Sequence, residues 1–144
     1  MILSNLSNRG ATPALIKTLA YNEARLKMIS QNVANIHTPH YRTKQLDASA
    51  FRNALRDALN DKGSDSNKLF IVESGNEVRT DPSGLLKVTP GDQPVENVLF
   101  HDGTNQSIEQ QMADLAETGM MHELSTILLR GRFEGLRKAI RGRV

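Results

Sequence analysis

The 144-residue sequence contains no cysteine and no tryptophan, and it has only four phenylalanines and two tyrosines. The absence of cysteine excludes a disulfide framework and any thiol-based catalysis. Nowhere do about 18 apolar residues follow one another, so the sequence offers no candidate transmembrane helix. Because large aromatic side chains dominate the energetics of bulky cores, the long elements of this chain are expected to bury their apolar faces against partners instead.

Charge and length narrow the class of protein further. An apolar content of 38% in 144 residues suits one small domain. The net charge of +2 is too small to require a polyanionic partner. The N-terminus lacks the apolar segment and the small-residue cleavage site of a secretory signal, so composition alone predicts a cytoplasmic protein.

Motifs that carry enzymatic or metal chemistry are missing. His37 and His40 are three residues apart, but the intervening Thr38-Pro39 breaks a helix and no acid or cysteine completes a metal site. There is no phosphate-binding glycine motif and no nucleophile elbow. Three aspartates spaced by four lack the glycine and final glutamate of a calcium loop and indicate a solvated face: Asp57, Asp61 and Asp65. The sequence therefore predicts no catalytic site, no metal and no cofactor.

The first long helix is predicted from Pro13 to Asn35, with Thr12 as its cap and proline at its first position. Its seam steps by four and three residues, as in a coiled coil with one polar position. Asn22 either sets the register of a partner interface or lies at an exposed edge. The seam comprises Leu15, Leu19, Asn22, Leu26, Ile29, Val33 and Ile36.

The second long helix is predicted to begin at Ser107, which forms a capping box with Gln110. Its seam has the same alternation of four and three. It comprises Ile108, Met112, Leu115, Gly119, His122, Thr126, Leu129, Phe133, Leu136 and Ile140. Further apolar residues widen this face, so that the helix requires more than one neighbour: Leu124, Ile127 and Leu128.

The middle of the chain is predicted to hold shorter elements. Ala48 to Leu59 has the apolar spacing of a short amphipathic helix, and residues 60–67 are polar and contain glycine, as in a loop. Lys68 to Glu73 and Gly84 to Val88 are typical of short strands separated by turn signals, which predicts a small hairpin. Residues 90–94, with two prolines, are predicted to be irregular.

Together these elements predict a mainly α fold. Long N- and C-terminal helices form a coiled-coil or helical-bundle domain, and a short middle region contains a small β-hairpin and loops. The predicted organisation is an N-terminal helix and turn at residues 1–47, a middle region at 48–106, and a C-terminal helix at 107–144 that packs with the N-terminal one.

A turn links the first helix to an extended segment. Pro39 forces Thr38 out of helical backbone, so the helix has to stop near Asn35. Asn32 and Asn35 lie in its last turn, where their amides can hydrogen-bond carbonyls that the helix end leaves unpaired. Residues 41–47 are predicted to be extended. Turn chemistry alone makes this stretch a helix terminator.

The order of residues in this turn resembles the asparagine-rich turn of flagellar basal-body rod, hook and hook-associated proteins, Asn-x-Ala-Asn-x-x-Thr-Pro-Gly-Tyr. His40 stands where that family has glycine, so a positive φ there requires an uncommon backbone for histidine. The matching residues are Asn32, Ala34, Asn35, Thr38, Pro39 and Tyr41.

The C-terminal region extends the resemblance. Asp102 to Glu117 and Leu128 to Ile140 look like the final helix of the proximal rod members of that family. The resemblance implies a structural subunit that leaves the cell through type III export without a cleaved signal. Its partners would be other rod subunits, further copies of itself, and membrane-ring and export-gate components, with no nucleic acid and no direct membrane insertion.

The two seams are expected to supply the assembly interface, through Leu15, Leu19, Leu26, Ile29, Val33, Met112, Leu115, Leu129, Phe133, Leu136 and Ile140. Two alternatives stay open. A coiled-coil adaptor would assemble with fixed stoichiometry. A nucleic-acid or acidic-surface binder would use Arg130, Arg132, Arg137, Lys138, Arg141 and Arg143. Cations at a helix C-terminus also complement its dipole, and no aromatics interleave with them as in a single-strand binder.

Overall fold

Helices account for most of the chain, as predicted from the sequence. The computed structural model describes residues 10–63, 68–92 and 108–142. Within them lie α1 (Thr12–Ala34), β1 (Lys44–Gln45), α2 (Ala48–Lys62), β2 (Val78–Thr80), β3 (Leu86–Val88), β4 (Gly91–Asp92) and α3 (Ile108–Arg141). The mainly α class, with long terminal helices and a small antiparallel region between them, is confirmed.

The two long helices pack against each other in antiparallel orientation. Arg25 of α1 forms an ion pair with Asp114 of α3 at 3.4 Å, and Asn32 donates to Gln111 at 3.3 Å. At 1.5 Å per residue, α1 is about 35 Å long and α3 about 51 Å. Counting along both helices from these pairs places Thr12 beside about residue 130 of α3. The last turns of α3 therefore extend past the first residue of α1.

The inner face of α3, which packs on α1, is unusually polar. Gln111, Thr118 and Ser125 are its buried residues and are spaced by seven. The predicted seam ran one position to the side, through Met112, because the apolar pattern of α3 is wide and does not single out one face. The capping box at Ser107 lies outside the described residues.

The start of α1 differs in detail from the prediction. Thr12 is the first helical residue, and the cap position is Ala11, whose side chain makes no capping hydrogen bond. Thr12 is only 4% exposed, because it is part of the packed face of the helix. Pro13 lies in the first turn, where its missing N–H costs nothing.

Helix α2 begins one residue after Asp47, whose carboxylate accepts from the N–H groups of Ser49 at 2.8 Å and Ala50 at 2.9 Å. The helix continues to Lys62, so the loop predicted from residue 60 begins later. Gly63 ends it with φ +51°, a backbone conformation that glycine adopts without steric cost. Residues 64–67 of the predicted loop lie outside the described part of the chain.

A small hairpin is present, but its first strand was wrongly predicted. Strand β2 pairs with β3 in the register Arg79 opposite Lys87, across a turn in which the Asp81 carboxylate accepts from the Leu85 N–H at 2.8 Å. The segment predicted as a strand, 68–73, belongs to no strand of the structure. Val72 instead donates to and accepts from the Thr80 hydroxyl, at 2.9 and 3.0 Å. One side chain thus replaces the strand pairing.

A second pair of strands connects distant parts of the chain. Lys44 of β1 lies opposite Asp92 of β4, and Gln45 lies opposite Gly91. The prediction of irregular structure from residue 90 was therefore wrong at 91–92. Pro90 cannot donate a ladder hydrogen bond, but it lies before β4 and so does not prevent the pairing.

The apolar core lies between α1, α2 and the strands. The Tyr21 and Phe51 rings stack with centroids 3.9 Å apart and an interplanar angle of 2°. Around them the buried apolar side chains are Ala14, Met28, Ile29, Leu46, Phe70, Val72 and Val78. Among the described residues, no helix has the length and apolarity needed to cross a membrane.

Candidate assembly site

The turn after α1 is held by its own side chains. Asn35 donates from Nδ2 to the Gln31 carbonyl at 2.8 Å, which confirms that this amide caps the helix end. The Thr38 hydroxyl donates to Asn35 Oδ1 at 3.3 Å, and the Thr38 N–H donates to the Asn35 carbonyl at 2.9 Å. Ala34, Thr38 and Pro39 are exposed. The turn is therefore a stable, protruding surface feature.

Asn32 has a different role from the one predicted. Its amide does not cap the helix but pairs with the backbone of Lys44, donating to the carbonyl at 2.8 Å and accepting from the N–H at 3.1 Å. It also accepts from the Tyr41 hydroxyl at 3.2 Å and donates to Gln111 Oε1 at 3.3 Å. All four hydrogen-bonding positions of the amide are used.

This side chain joins three elements. Asn32 is completely buried, and its amide acts towards Lys44 as a neighbouring strand would. It fixes β1 against α1, while the bond to Gln111 fixes α3 against the same point. The geometry of the turn motif is thereby coupled to the packing of the two long helices. The sequence places Asn32 correctly on the last turn but cannot show which backbone comes back to meet it.

His40 adopts the strained backbone that the glycine of related turns would accept. Its φ of +61° is the one positive value at a non-glycine residue within the described ranges. Left-handed backbone costs an ordinary residue about 1 to 2 kcal/mol. Replacement by glycine removes this strain. Only part of the cost is recovered in stability, because glycine loses more chain entropy on folding than histidine does.

We expect His40→Gly to raise the free energy of unfolding by about 0.5 to 1 kcal/mol. His37→Gly is the matched control, since His37 is exposed in the same turn without positive φ. It should lower stability by a similar amount. Urea unfolding followed by circular dichroism measures both, and equal losses in the two variants would contradict strain at His40.

A second polar contact fixes the hairpin to α1. Lys17 is only 4% exposed, and its ammonium donates to the Gly84 carbonyl at 2.6 Å and to the Thr80 hydroxyl at 3.3 Å. Burial lowers the pKa of Lys17, and the nearby Asp81 carboxylate partly opposes that shift. Sequence reasoning missed this residue. The available signal was a second stripe on α1, through Ala14, Lys17, Tyr21, Met28 and Asn32.

The predicted assembly residues of α1 lie on its packed surface. Ile29 is 1% exposed and belongs to the core. The others are half-buried: Leu15, Leu19, Leu26 and Val33. Asn22, for which two locations were open, is 6% exposed and so does not lie at an exposed edge. Its Nδ2 has no hydrogen-bond partner, and neither does the buried Thr118 hydroxyl of α3.

The predicted assembly residues of α3 divide into two groups. Leu115, Leu129 and Leu136 are half-buried. Met112, Phe133 and Ile140 are 50%, 44% and 71% exposed. Phe133 and Ile140 lie on the part of α3 that extends past Thr12. The structure therefore leaves large apolar side chains of the predicted seam available for contacts with other molecules, and their assignment to an interface stays a prediction.

No metal-binding arrangement accompanies these surfaces in the part of the chain that the structure describes. No group of three or more histidine, aspartate or glutamate side chains there could hold a metal ion. His37 and His40 are both exposed, and Asp61 pairs with Lys68 at 2.7 Å. What the described surface offers is apolar helix area bordered by charge.

Comparison with known proteins gives similarity over nearly the whole chain. The flagellar basal body rod protein FlgB of Aeromonas hydrophila is 24% identical over 128 residues, which cover 86% of this chain and 87% of that protein. FlgB of Bacillus subtilis is 23% identical over 136 residues, covering 92% and 95%. FlgB of Cereibacter sphaeroides is 26% identical over 126 residues, covering 88% and 90%. No protein-family model matches the chain.

Fold, turn and similarity agree on one class of protein. Long paired terminal helices, an asparagine-based turn and exposed apolar helix surface are features of a structural subunit. Over about nine-tenths of its length the chain is similar to flagellar basal body rod proteins, which supports a flagellar basal body rod protein family.

Proposed function

We propose that the chain is a structural subunit of the proximal rod of the bacterial flagellar basal body. It assembles through its terminal helices into the axial tube that transmits torque and conducts export. The observation that carries the proposal is the end of α3, which extends past α1 and exposes Phe133 and Ile140. Burial of such side chains in an interface with a neighbouring subunit lowers the free energy of the assembled state.

The exposed apolar surface of α3 supports a role in assembly rather than as an isolated monomer. Monomeric soluble proteins rarely expose large contiguous apolar patches, and those that do use them for interactions. The exposed large apolar side chains of α3 are Ile108, Met112, Met120, Met121, Leu124, Ile127, Leu128, Phe133 and Ile140. A subunit surrounded by neighbours would bury many of these side chains.

The implied partners follow from the location of a rod. They are other rod subunits, including further copies of this chain, together with membrane-ring and export-gate components. The proposed location is the periplasmic part of the basal body, reached by type III export without a cleaved signal. No cofactor enters the proposal.

The basic end of α3 provides the alternative function. Arg130, Arg132, Arg137, Lys138 and Arg141 are exposed. Cations in the last turns complement the helix dipole whether or not they bind a partner. A nucleic-acid contact would depend on their charge, whereas a rod contact would depend on the apolar seam beside them.

We expect the double variant Phe133→Ala, Ile140→Ala to abolish swimming and to reduce basal-body yield. Full burial of each of these side chains in an interface is worth roughly 1.5 to 3 kcal/mol. Leu85→Ala is the matched control, since Leu85 is 67% exposed on the hairpin, and it should swim normally. Complementation of a rod-deficient strain measures motility, and secretion of the chain measures export, which should persist.

Reversal of Arg137, Lys138 and Arg141 to glutamate forms the second set of variants. A rod subunit should tolerate it better than the apolar double variant. Loss of function with the reversed charges, together with normal swimming of the apolar variant, would overturn the rod assignment. In that case, steep loss of DNA binding with rising salt would indicate the nucleic-acid function.

A further inference from the structure

The middle of α3 carries an apolar patch that the contact with α1 does not use. Met120, Met121, Leu124, Ile127 and Leu128 are between 46% and 65% exposed. At 3.6 residues per turn Met120, Leu124 and Ile127 project away from the inner face defined by its buried polar residues, and Met121 and Leu128 lie at the border of that face. We call these five residues the outer patch. It is distinct from the Phe133 and Ile140 surface used in the proposed function.

Charge along α3 is segregated about this patch. Before Leu124 the helix carries Glu109, Asp114, Glu117 and Glu123 and no lysine or arginine. After Leu128 it carries Arg130, Arg132, Arg137, Lys138 and Arg141 against the single Glu134. Leu124 lies at the midpoint of Ile108–Arg141. The helix is therefore acidic in one half, basic in the other and apolar on the outer face between them.

We propose that a second copy of this chain packs on the outer patch in antiparallel orientation, about a two-fold axis at Leu124. A parallel, in-register pair would place like charges beside each other. The antiparallel pair instead places the acidic half of each helix beside the basic half of the other and the apolar patch on itself. Such a self-complementary surface is the requirement for an isologous dimer.

Side chains near the axis fit this arrangement. Across a two-fold axis at Leu124, Glu117 of one copy lies beside Gly131 of the other, between Arg130 and Arg132. The Glu117 side chain is 59% exposed, and its ion pair with Arg25 is long, at 4.0 Å. The carboxylate therefore remains accessible to a further cation. A Cβ at Gly131 or at Gly135 would meet nothing within 4 Å in the single chain, which leaves room for a second helix.

The dimer goes beyond assembly into a rod. An axial tube built from subunits of one orientation has head-to-tail contacts, and an antiparallel two-fold pair does not fit such a tube. The dimer is thus a form of the unassembled chain. It covers an apolar face that would otherwise promote aggregation, and it has to dissociate before incorporation.

Disulfide cross-linking tests the orientation directly, because the chain has no cysteine of its own. Facing residues of two helices 8 to 10 Å apart are close enough for a disulfide. Leu124→Cys should cross-link to itself under copper–phenanthroline oxidation. Ala113→Cys should not, since two copies of residue 113 are about 33 Å apart along the pair. A mixture of Ala113→Cys and Gly135→Cys chains should form the mixed dimer.

Efficient self-cross-linking of Ala113→Cys would overturn the antiparallel orientation, and a monomeric full-length chain in sedimentation at micromolar concentration would overturn the dimer. Ile127→Glu should weaken dimerisation more than tenfold, whereas Leu85→Glu, an equally drastic change on the exposed hairpin, should not. Circular dichroism verifies that both variants fold. Equal dimerisation of both would also contradict the proposal.

The outcome is separable from the proposed function. A monomeric chain that restores swimming in the rod-deficient strain would refute the dimer alone. A cross-linked two-fold dimer from a chain that cannot restore swimming would refute the rod assignment alone. A complex of fixed composition with a different protein on the outer patch would refute the second copy as its occupant.

Discussion

Asn32→Leu is expected to lower the free energy of unfolding by roughly 3 to 5 kcal/mol, one of the largest effects of any single substitution outside the apolar core. Leucine has the same branching as asparagine but is larger, and it leaves the Lys44 N–H and carbonyl without their Asn32 partner. Each buried polar group that loses its partner costs about 1 to 3 kcal/mol. Urea unfolding monitored by circular dichroism gives the change directly.

Asn35→Ala is the matched control for the turn. Asn35 makes a helix-end hydrogen bond to the Gln31 carbonyl, so its loss should cost only about 1 kcal/mol. Asn32→Asp has the same shape and keeps both acceptor positions but no donor, and it should be nearly as damaging as leucine. If Asn32→Leu and Asn35→Ala were equally mild, the coupling of three elements through Asn32 would be wrong.

The same comparison separates folding from function at the turn motif. Because Asn32 connects α1, β1 and α3, its loss should disturb the angle at which the long helices present their exposed faces. Asn35, Thr38 and Pro39 act locally in the turn. Swimming should therefore fail in Asn32→Leu at temperatures where Asn35→Ala still swims.

Tyr21 is expected to make the protein lose stability at alkaline pH. Burial raises the pKa of Tyr21 to about 12. The positive charges of Arg25 and Arg52 oppose this shift, and the negative charges of Glu77 and Asp47 add to it. In the unfolded chain the phenol ionises near its ordinary value of 10.0. Between about pH 10 and 12 the unfolded state binds fewer protons than the folded state, so stability falls as pH rises.

The size of this effect is about 2 kcal/mol at pH 12, where the folded phenol is half ionised, since each pKa unit corresponds to about 1.4 kcal/mol. Tyr21→Phe removes it and keeps the stacking on Phe51. The Tyr21 hydroxyl is buried without a hydrogen-bond partner, so the variant should be about 1 kcal/mol more stable than the parent at neutral pH. Thermal unfolding at pH 7, 10 and 11 in both proteins measures the difference.

Tyr41→Phe provides the control for Tyr21→Phe. The Tyr41 hydroxyl donates to Asn32, so this variant should lose about 1 kcal/mol at neutral pH. Lys17 titrates identically in all three proteins and cancels from the comparison. Parallel loss of stability with pH in the parent and in Tyr21→Phe would show that another group controls the alkaline transition.

The sequence alone determined the elements whose signals are local. Pro13 and Pro39 bound the first helix, and the apolar spacing after Ala48 defines the second, although it continues to Lys62 beyond the predicted end at Leu59. The stepping of apolar residues defines the third. These features depend on backbone sterics and helical periodicity, which neighbouring residues set between themselves. The resemblance of the turn to flagellar rod proteins also needed only the order of residues.

Tertiary structure decided which faces meet and which backbone groups pair. Asn32 lies where its amide could cap the end of the helix. It pairs instead with the backbone of Lys44, twelve positions away, because this buried site offers no water to those backbone groups. Val72 lies in a segment with strand-like composition, but the Thr80 hydroxyl satisfies its backbone without a ladder. On α3 the apolar pattern is too broad to select a single face. The contact with α1 buries a polar stripe through Thr118 and leaves the outer patch exposed. Long-range contacts, rather than periodicity, therefore determine which surface is buried.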